Sequence, residues 1–486
     1  MRRVSCRHLW TGSSPCLSNT VVHIDDSGVI ASIEDCSSDT EFFDHFFAMP
    51  SFVDAHTHYS WMVVKEASLD LSGVRSSSEL LSLVRSSVIS KESGILRGES
   101  YDESDWIDKE LPSLAMLDSV TADVPVFLRR VCGHAAMVNS RMLQLLESDM
   151  PGVNRSTGVL KEWPVMNFDL LFPMPEQVLR EASSQVEAMA YSKGVTAVCS
   201  FETVHTADSV LKFVKGLDIS LAVIAGGLDA TSADLPTNVK MIKLFLDGSL
   251  GAGNAALIHP YPDGSAGELH YSDQELFSLM TRCGEKGLTV CVHAIGGRAL
   301  QQLDRVSNRA FRTLGHGFPV RIEHGEDLLN AWPGTWDPEY HIFSMQPNFV
   351  ERWQRPGGMY DRILSEDRSI MLNPFKTVLD SGFRLGFGSD CMPLDPLYGL
   401  MGATRHRNTD ESLSMTRALS AYTLDAALIS GLDHLSLPLA PGRTADMVFL
   451  SGDPFQGLDG VTVEATMKNG RMVSAKNAFT DGEGFL

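Results

Sequence analysis

Eight short apolar segments are spread along this chain, and they restrict its fold more than any other feature. They lie near residues 50–55, 195–200, 219–225, 239–246, 288–293, 320–324, 341–346 and 384–390. From residue 195 onward, most of the gaps between them are long enough for one helix. Strands that alternate with helical stretches are typical of parallel βα units, and eight such units close into a barrel. We therefore predict an α/β protein built on a (β/α)8 TIM barrel.

Residues that commonly bind metal ions stand at the ends of several of these segments. His56 and His58 follow the first one, and residues i and i+2 of a strand point to the same side. Further candidate ligands lie in or after later segments: Lys243, His293, His324 and Asp390. Because the C-terminal ends of all barrel strands meet at one face, the pattern predicts a metal site at that face.

The chain is longer than a barrel requires, and the extra residues fall into two groups. Strand-like stretches occur near both ends, so we predict a small β-sandwich domain built from residues 1–50 and 436–486. The barrel then covers residues 51–435. Residues 60–185 are too many for a single crossover helix, which predicts an insertion after the first barrel strand, lying over the active-site mouth.

Charge and cysteine usage limit the function classes. The net charge of −21 at pH 7 disfavours binding to nucleic acids and to anionic membranes. The 8 cysteines show no Cys-x-x-Cys spacing, which suits a reducing compartment better than a disulfide framework. No signal peptide is recognisable, and no apolar stretch reaches the length of about 18 residues that spans a bilayer. We expect a cytoplasmic enzyme with a small-molecule substrate, assembled as a homo-oligomer (a dimer), without nucleic-acid or membrane partners.

Motifs along nearly the whole chain resemble one known family. They are Asp54-Ala55-His56-Thr57-His58, Lys243-Leu244-Phe245-Leu246-Asp247-Gly248-Ser249, His293-Ala294-Ile295-Gly296, Arg321-Ile322-Glu323-His324, Gly388-Ser389-Asp390 and Gly442-Arg443-Thr444-Ala445-Asp446. With these motifs the chain is similar to the amidohydrolase superfamily, and within it to amidohydrolase family 3, the branch that includes N-substituted formamide deformylase.

Three departures from the family pattern concern the substrate. Gly253-Asn254 stands where related sequences commonly have an arginine and a threonine, Asn348-Phe349 stands where a histidine is frequent, and Arg97-Gly98-Glu99-Ser100-Tyr101-Asp102 lacks the usual tryptophan. We expect these positions to contact the substrate, so deformylase activity itself is not carried over.

The resemblance implies a hydrolase that uses one or two divalent metal ions, zinc in the first place. It implies roles for six residues: a buried metal held by His56 and His58, an N-carboxylated Lys243 bridging both metals, an exposed metal held by His293 and His324, and Asp390 as ligand and general base.

The chemistry explains why these residue types are needed. Burial and nearby positive charge favour the neutral amine of a lysine, which can add carbon dioxide to form a carbamate. A divalent zinc ion lowers the pKa of its bound water to about 7, so that a metal-activated hydroxide exists at neutral pH. An alternative for Lys243 is an unmodified lysine paired with Asp247.

Three further residues are predicted near the site. Asp247 is a candidate for orienting a metal ligand or Lys243. His134 is a candidate for contacting substrate, with a structural hydrogen-bonding histidine as the alternative. Gln346 follows the seventh strand segment and is a candidate pocket residue, with a turn that closes the strand as the alternative.

The predicted activity is hydrolysis of a carbon–nitrogen bond other than a peptide bond, in an amide, an N-substituted formamide or a cyclic amide. Three alternatives stay open: an esterase, a non-hydrolytic isomerase or decarboxylase on the same metal scaffold, and a catalytically silent scaffold protein.

Overall fold

The computed structural model describes residues 2–13, 16–35, 43–89, 94–103, 106–108, 110–121, 123–131, 133, 135–203, 218–226, 240–332 and 334–476. Contacts divide the chain into two compact units, Met1–Tyr59 with Glu187–Leu486, and Ser60–Val186. The predicted substrate-contacting residue His134 lies outside the described residues.

The larger unit contains an eight-stranded parallel sheet, and its strands coincide with the eight predicted segments. In chain order they are β1 (Phe52–Thr57), β2 (Val195–Thr203), β3 (Ser220–Gly226), β4 (Met241–Phe245), β5 (Thr289–Ala294), β6 (Val320–His324), β7 (His341–Met345) and β8 (Arg384–Phe387). Each strand pairs in parallel with the next one along the chain. The predicted α/β barrel fold is confirmed.

The first and last strands meet just beyond β8, where a glycine permits close contact. A Cβ atom on Gly388 would lie 2.3 Å from the backbone nitrogen of His56, so only glycine fits there without a shift. Two backbone N–H groups then reach across to β1: Ser389 donates to Oδ1 of Asp54 at 2.9 Å, and Asp390 donates to the carbonyl of His56 at 2.7 Å. These contacts place the end of β8 directly beside the histidine-bearing strand.

Helices follow most of the barrel strands and cover them. Two of them are Asp273–Glu285, which begins with a Ser272–Glu275 capping box, and Gly297–Leu314, which is followed by Gly315 with φ 75°. The other α-helices of the described residues are Tyr59–Glu66, Ser77–Ile89, Leu114–Thr121, Ser140–Leu143, Trp163–Met166, Phe168–Leu171, Glu176–Ser192, Pro347–Trp353, Met359–Leu364, Glu366–Ser369, Phe375–Asp380, Pro396–Thr404, Met415–Ala421 and Leu424–Ile429. Among the described residues, none of the helices combines the length and the apolar character needed to cross a membrane.

Both ends of the chain share one seven-stranded sheet. Its strands, in spatial order, are Arg471–Ala475, Val463–Lys468, Met447–Leu450, Phe43–Pro50, Arg2–Leu9, Leu17–Ile24 and Ile30–Asp35. The central pairing joins residues from opposite ends of the chain, with Phe449 opposite Ala48. Hydrogen bonds run across all seven strands, so strands from both ends of the chain form one sheet, and the sandwich arrangement with the bounds 1–50 and 436–486 stays a prediction.

The smaller unit, Ser60–Val186, has its own six-stranded sheet. The strands, in spatial order, are Val153–Asn154, Val159–Lys161, Ala135–Val138, Val126–Arg130, Leu96–Tyr101 and Leu69–Asp70. Two separate apolar clusters pack in this unit, one around Leu128 and Trp106 and one around Phe127 and Phe168. Its predicted position over the barrel mouth stays a prediction.

Candidate metal centre

Three of the predicted ligands converge at the C-terminal end of the barrel. His56 lies on β1, His324 is the last residue of β6, and Asp390 follows β8, and one ligand atom of each lies within 4.8 Å of the others. His58 joins them, because its Nε2 lies 3.1 Å from Oδ1 of Asp390. The His293 ring on β5 packs against the His324 ring with centroids 4.6 Å apart.

The tautomer of His56 is set by a buried carboxylate. Oε2 of Glu323 lies 2.7 Å from Nδ1 of His56, and both side chains are buried. A carboxylate in this contact accepts the Nδ1 proton, which leaves Nε2 with its lone pair directed toward Asp390, 3.7 Å away. Burial, followed by the charge of Lys243, lowers the pKa of His56 well below its usual value, so the ring is neutral at pH 7.

Glu323 is itself held by an arginine in the barrel interior. Nε of Arg321 lies 2.9 Å from Oε1 of Glu323, and neither residue is exposed. Burial raises the pKa of Glu323, and the positive charge of Arg321 opposes that rise. The guanidinium also donates to Oγ of Ser344 at 3.1 Å. The arrangement links His56 to a charged pair fixed on β6.

His58 and Asp390 form a second pair near the opening of the site. Nδ1 of His58 donates to the carbonyl of Phe201 at 3.2 Å, so its Nε2 faces Asp390. Burial alone lowers the pKa of His58, but the hydrogen bond and the negative charge of Asp390 outweigh it and raise that pKa. The side chain of Asp390 is 21% exposed, which gives solvent access to its carboxylate.

The rings of His293 and His324 are neutral at pH 7, and His324 is buried whereas His293 is 12% exposed. Burial lowers the pKa of His293 to about 3, and burial also lowers the pKa of His324 well below its usual value. Within the described residues, Nδ1 of His324 is buried without a hydrogen-bond partner. An orphaned ring nitrogen in a polar cluster is the state expected of a metal ligand. Gln346 lies beside His324 and is 1% exposed.

Lys243 lies in the middle of β4 and is 1% exposed. Its Nζ lies 3.9 Å from the centroid of the Phe201 ring, which also packs on His56 at 4.1 Å. Burial lowers the pKa of Lys243 to about 8, so a minor fraction of the amine is neutral at pH 7.

Asp247 is held by backbone groups, and no ion pair joins it to Lys243 in the described part of the chain. Its Oδ2 accepts from the N–H groups of Ala256 at 2.9 Å and Gly296 at 2.8 Å, and its Oδ1 accepts from Ile295 at 3.1 Å. Oδ1 also lies 3.8 Å from Nε2 of His293. The carboxylate therefore connects the loop that follows β4 with the loop that follows β5.

Three residues at this end of the barrel have a left-handed backbone conformation. His324 has φ 71°, Asp390 has φ 50° and Cys391 has φ 61°, values that residues with a Cβ rarely adopt. Such conformations persist where the surrounding structure determines them, and they cluster at functional sites. Here Asp54 is part of that surrounding structure, since its Oδ1 accepts from the N–H of His56 at 3.0 Å and from Ser389.

Sequence reasoning missed the residues that support the ligands. Arg321 and Glu323 carry opposite charges two positions apart in a predicted buried strand, and that spacing was the available signal. The expectation that Asn348 contacts substrate stays a prediction, and in this structure the residue is fully buried and its side chain donates to the carbonyl of Pro393 at 2.8 Å. Asn348 therefore helps to hold the loop that follows Asp390.

The chemistry of this donor set suits a divalent cation. Neutral imidazoles and a carboxylate are the ligands that zinc takes in proteins, and a metal-ligating histidine usually donates its second ring proton to a carboxylate or a carbonyl. His56 does so to Glu323, and His58 does so to Phe201. The residues present thus fit a metal ion.

Comparison with known proteins agrees with this geometry. A family model described as "Amidohydrolase family" matches residues 47–474. The putative amidohydrolase YtcJ of Bacillus subtilis is 26% identical, with 88% of this chain and 89% of that protein covered. N-substituted formamide deformylase of Arthrobacter pascens is 23% identical, with 84% and 83% covered.

A solved structure gives the same picture. The crystal structure of an uncharacterized metal-dependent hydrolase from Pyrococcus furiosus superimposes with a TM-score of 0.73 at 26% identity, covering 93% of this chain and 99% of that one. Together with the histidine–aspartate cluster, these likenesses support a metal-dependent hydrolase. The family model spans most of the sequence and includes every predicted ligand, so the chain belongs to the amidohydrolase family.

Proposed function

We propose that this protein hydrolyses a carbon–nitrogen bond other than a peptide bond, in an amide, an N-substituted formamide or a cyclic amide. The observation that carries the proposal is the convergence of His56, His324 and Asp390 within 4.8 Å at the C-terminal end of the barrel. One or two divalent ions, zinc in the first place, would be held by these residues with His58, Lys243 and His293. Such an ion, when bound, polarises a carbonyl and lowers the pKa of water.

Asp390 is the general base in this proposal. Its carboxylate is partly exposed, and Nε2 of His58 holds Oδ1 at 3.1 Å. Asp390 takes a proton from the attacking water and passes it to the departing nitrogen, which leaves as an amine. The carbonyl carbon gains an oxygen from water as the carbon–nitrogen bond breaks.

Lys243 carries an N-carboxyl group in the proposed active form. The neutral amine adds carbon dioxide and loses one proton, and the product is a carbamate with two oxygens that can serve as a bridging ligand. Support comes from the burial of Lys243, from its lowered pKa, and from the occupation of Asp247 by three backbone N–H groups. The alternative of a Lys243–Asp247 ion pair finds no support in these contacts.

The exposed ring of Phe245 points to an apolar substituent on the substrate. Phe245 is 42% exposed, ends β4, and its ring lies 5.3 Å from the ring of His293. An exposed aromatic ring beside the candidate ligands favours a substrate that covers it. The deformylase among the relatives acts on N-substituted formamides by its name, which agrees with a carbon–nitrogen bond.

The first experiment is metal content per chain, measured by plasma mass spectrometry on protein purified without chelators, together with an intact-mass search for a carbon dioxide adduct. Bound metal with an adduct supports the bridged site. No metal after reconstitution with zinc would refute the proposal and favour a silent scaffold.

Reaction in oxygen-18 water separates hydrolysis from other chemistry. Hydrolysis must place the label in the product acid, whereas an isomerase or a decarboxylase places none there. A screen of N-acyl amides, cyclic amides and esters then distinguishes amide from ester cleavage. The dimeric state and the cytoplasmic location stay predictions.

The role of Asp390 is tested by Asp390→Asn, with the exposed Asp433→Asn as the matched control. We expect a fall in turnover of about 10²- to 10⁴-fold for Asp390→Asn, since asparagine cannot accept the proton, and retention of the metal. Turnover equal to that of the control would remove Asp390 from this role.

A further inference from the structure

One peptide group lies between a surface asparagine and a candidate metal ligand. The carbonyl of Gly248 lies 3.0 Å from Nε2 of His293. The N–H of the same peptide group, which belongs to Ser249, donates to Oδ1 of Asn254 at 2.9 Å. The three groups form a chain in the order His293, Gly248–Ser249 peptide, Asn254.

The carbonyl determines which nitrogen of His293 carries the proton. A carbonyl oxygen only accepts hydrogen bonds, so the contact requires that Nε2 of His293 is the N–H nitrogen. Nδ1 then carries the lone pair. Oδ1 of Asp247 also faces Nε2 of His293, but at 3.8 Å it lies beyond hydrogen-bond distance.

The asparagine determines where that carbonyl points. A trans peptide group is planar, and its N–H and C=O bonds point in opposite directions. Fixing the Ser249 N–H on Asn254 therefore aims the Gly248 carbonyl at His293. Hydrogen bonds connected through one peptide group also polarise each other, so the two contacts strengthen together.

The fit between Asn254 and Gly248 is specific. A Cβ atom on Gly248 would lie 2.1 Å from Oδ1 of Asn254, so the carboxamide occupies the space that a side chain would need. The backbone N–H of Asn254 also donates to the carbonyl of Ser249 at 3.2 Å. Asn254 thus holds the Gly248–Ser249 segment through both its side chain and its backbone.

We propose that Asn254 is a positioning residue that orients the Gly248–Ser249 peptide group and thereby keeps the proton of His293 on Nε2. The consequence for metal binding rests on the proposed function, in which His293 is a ligand. The effect on the His293 tautomer does not depend on that function.

Three variants test the proposal. Asn254→Ala removes the acceptor for the Ser249 N–H, and Asn254→Asp keeps an acceptor oxygen in the same place. Asp263→Ala is the matched control, because Asp263 accepts a hydrogen bond of the same kind from the N–H of Ser265 at 2.9 Å in the same β4–β5 connection. Thermal unfolding of each variant checks that the fold is retained.

The first readout is the proton position on His293. Full-length protein labelled with ¹⁵N-histidine is treated with a chelator, and the ring nitrogens are observed by long-range proton–nitrogen correlation, with His293→Gln assigning the signals. We expect protonated Nε2 in the wild type, in Asn254→Asp and in Asp263→Ala, and a mixture of tautomers in Asn254→Ala. An unchanged His293 signal in Asn254→Ala, or the same change in Asp263→Ala, would overturn the proposal.

The second readout is the release of metal from the purified protein to a chelator. Loss of an outer partner of a metal-ligating histidine typically weakens metal binding by 10- to 100-fold. Asn254 acts through one intervening peptide, so we expect release about 10-fold faster for Asn254→Ala and within about 2-fold of wild type for Asn254→Asp. If the wild type binds no metal, the proposed function fails, and the tautomer readout still decides this inference.

Discussion

Replacing Glu323 by glutamine tests whether the buried carboxylate behind His56 supports the fold as well as the site. Its Oε2 accepts from Nδ1 of His56 at 2.7 Å and from Nη2 of Arg321 at 3.3 Å, and its Oε1 lies 2.9 Å from Nε of Arg321, with neither residue of the ion pair exposed. A carboxamide has a single acceptor oxygen. In Glu323→Gln, the charge that faces the Arg321 guanidinium is lost, and the new NH2 group faces either Nε of Arg321 or Nδ1 of His56.

The magnitude follows from the burial of Arg321. Removing one partner of a fully buried ion pair costs about 3 to 5 kcal/mol, because the other charge is left uncompensated. At about 2.1 cal/mol/K per residue, the 486 residues give an unfolding entropy of about 1 kcal/mol/K. The unfolding midpoint of Glu323→Gln should then fall by about 3 to 5 °C.

The assay is calorimetry on chelator-treated protein, since bound metal would add its own stabilisation. Glu285→Gln, at an exposed position, is the control and should stay within about 0.5 kcal/mol of wild type. The double variant Arg321→Met with Glu323→Leu removes both charges and should recover the part of the loss that comes from the unpaired guanidinium, while Nδ1 of His56 stays without its acceptor. A midpoint for Glu323→Gln within about 1 °C of wild type would refute the reasoning.

Three further predictions concern Lys243, Gly388 and Glu99. Lys243→Ala should lose metal and regain part of its activity with added short carboxylic acids, measured by metal content and turnover; failure of both indicates a structural lysine. Gly388→Ala should lower the unfolding midpoint, because the new Cβ meets the backbone of His56 at 2.3 Å, whereas Gly334→Ala, with nothing within 4 Å, should leave it unchanged. Burial raises the pKa of Glu99 to about 7, above the value of about 4.3 for a free glutamate, so the folded Glu99 holds a proton that the unfolded chain has released. Stability of the smaller unit should therefore fall as pH rises between these values, and Glu99→Gln should flatten that slope in thermal scans; an equal slope in both proteins contradicts the assignment.

The barrel strands were predictable because each one appears in the sequence as a short apolar segment. The run Leu288–Val292 is apolar apart from Thr289, as expected of a parallel strand covered on both sides, and His293 follows it. The structure places β5 at Thr289–Ala294. The C-terminal ends of parallel strands share one face by geometry, so locating the strands was enough to bring His56, His324 and Asp390 together.

The residues that support the ligands were not predictable by the same route. The proton of His56 is held by Glu323, which lies 267 positions away, and Asp54 accepts from Ser389, 335 positions away. A local pattern records which way a strand residue points but not which residue faces it across a barrel. Glu323 could be expected to point inward, yet its contact with His56 depends on the register of all the intervening strands.

Contacts made by loop residues were also not predictable from the local sequence. Asn348 and Asn254 both depart from the family pattern, and both were expected to contact substrate. Asn348 proves to be buried against the loop after Asp390, whereas Asn254 is exposed and holds the peptide that faces His293. An asparagine at a position that differs from the family pattern can therefore form hydrogen bonds with the backbone of its own chain. Because an asparagine side chain both donates and accepts, only its neighbours in space decide whether substrate or backbone uses it, and those neighbours are set by loop conformations that no local pattern specifies.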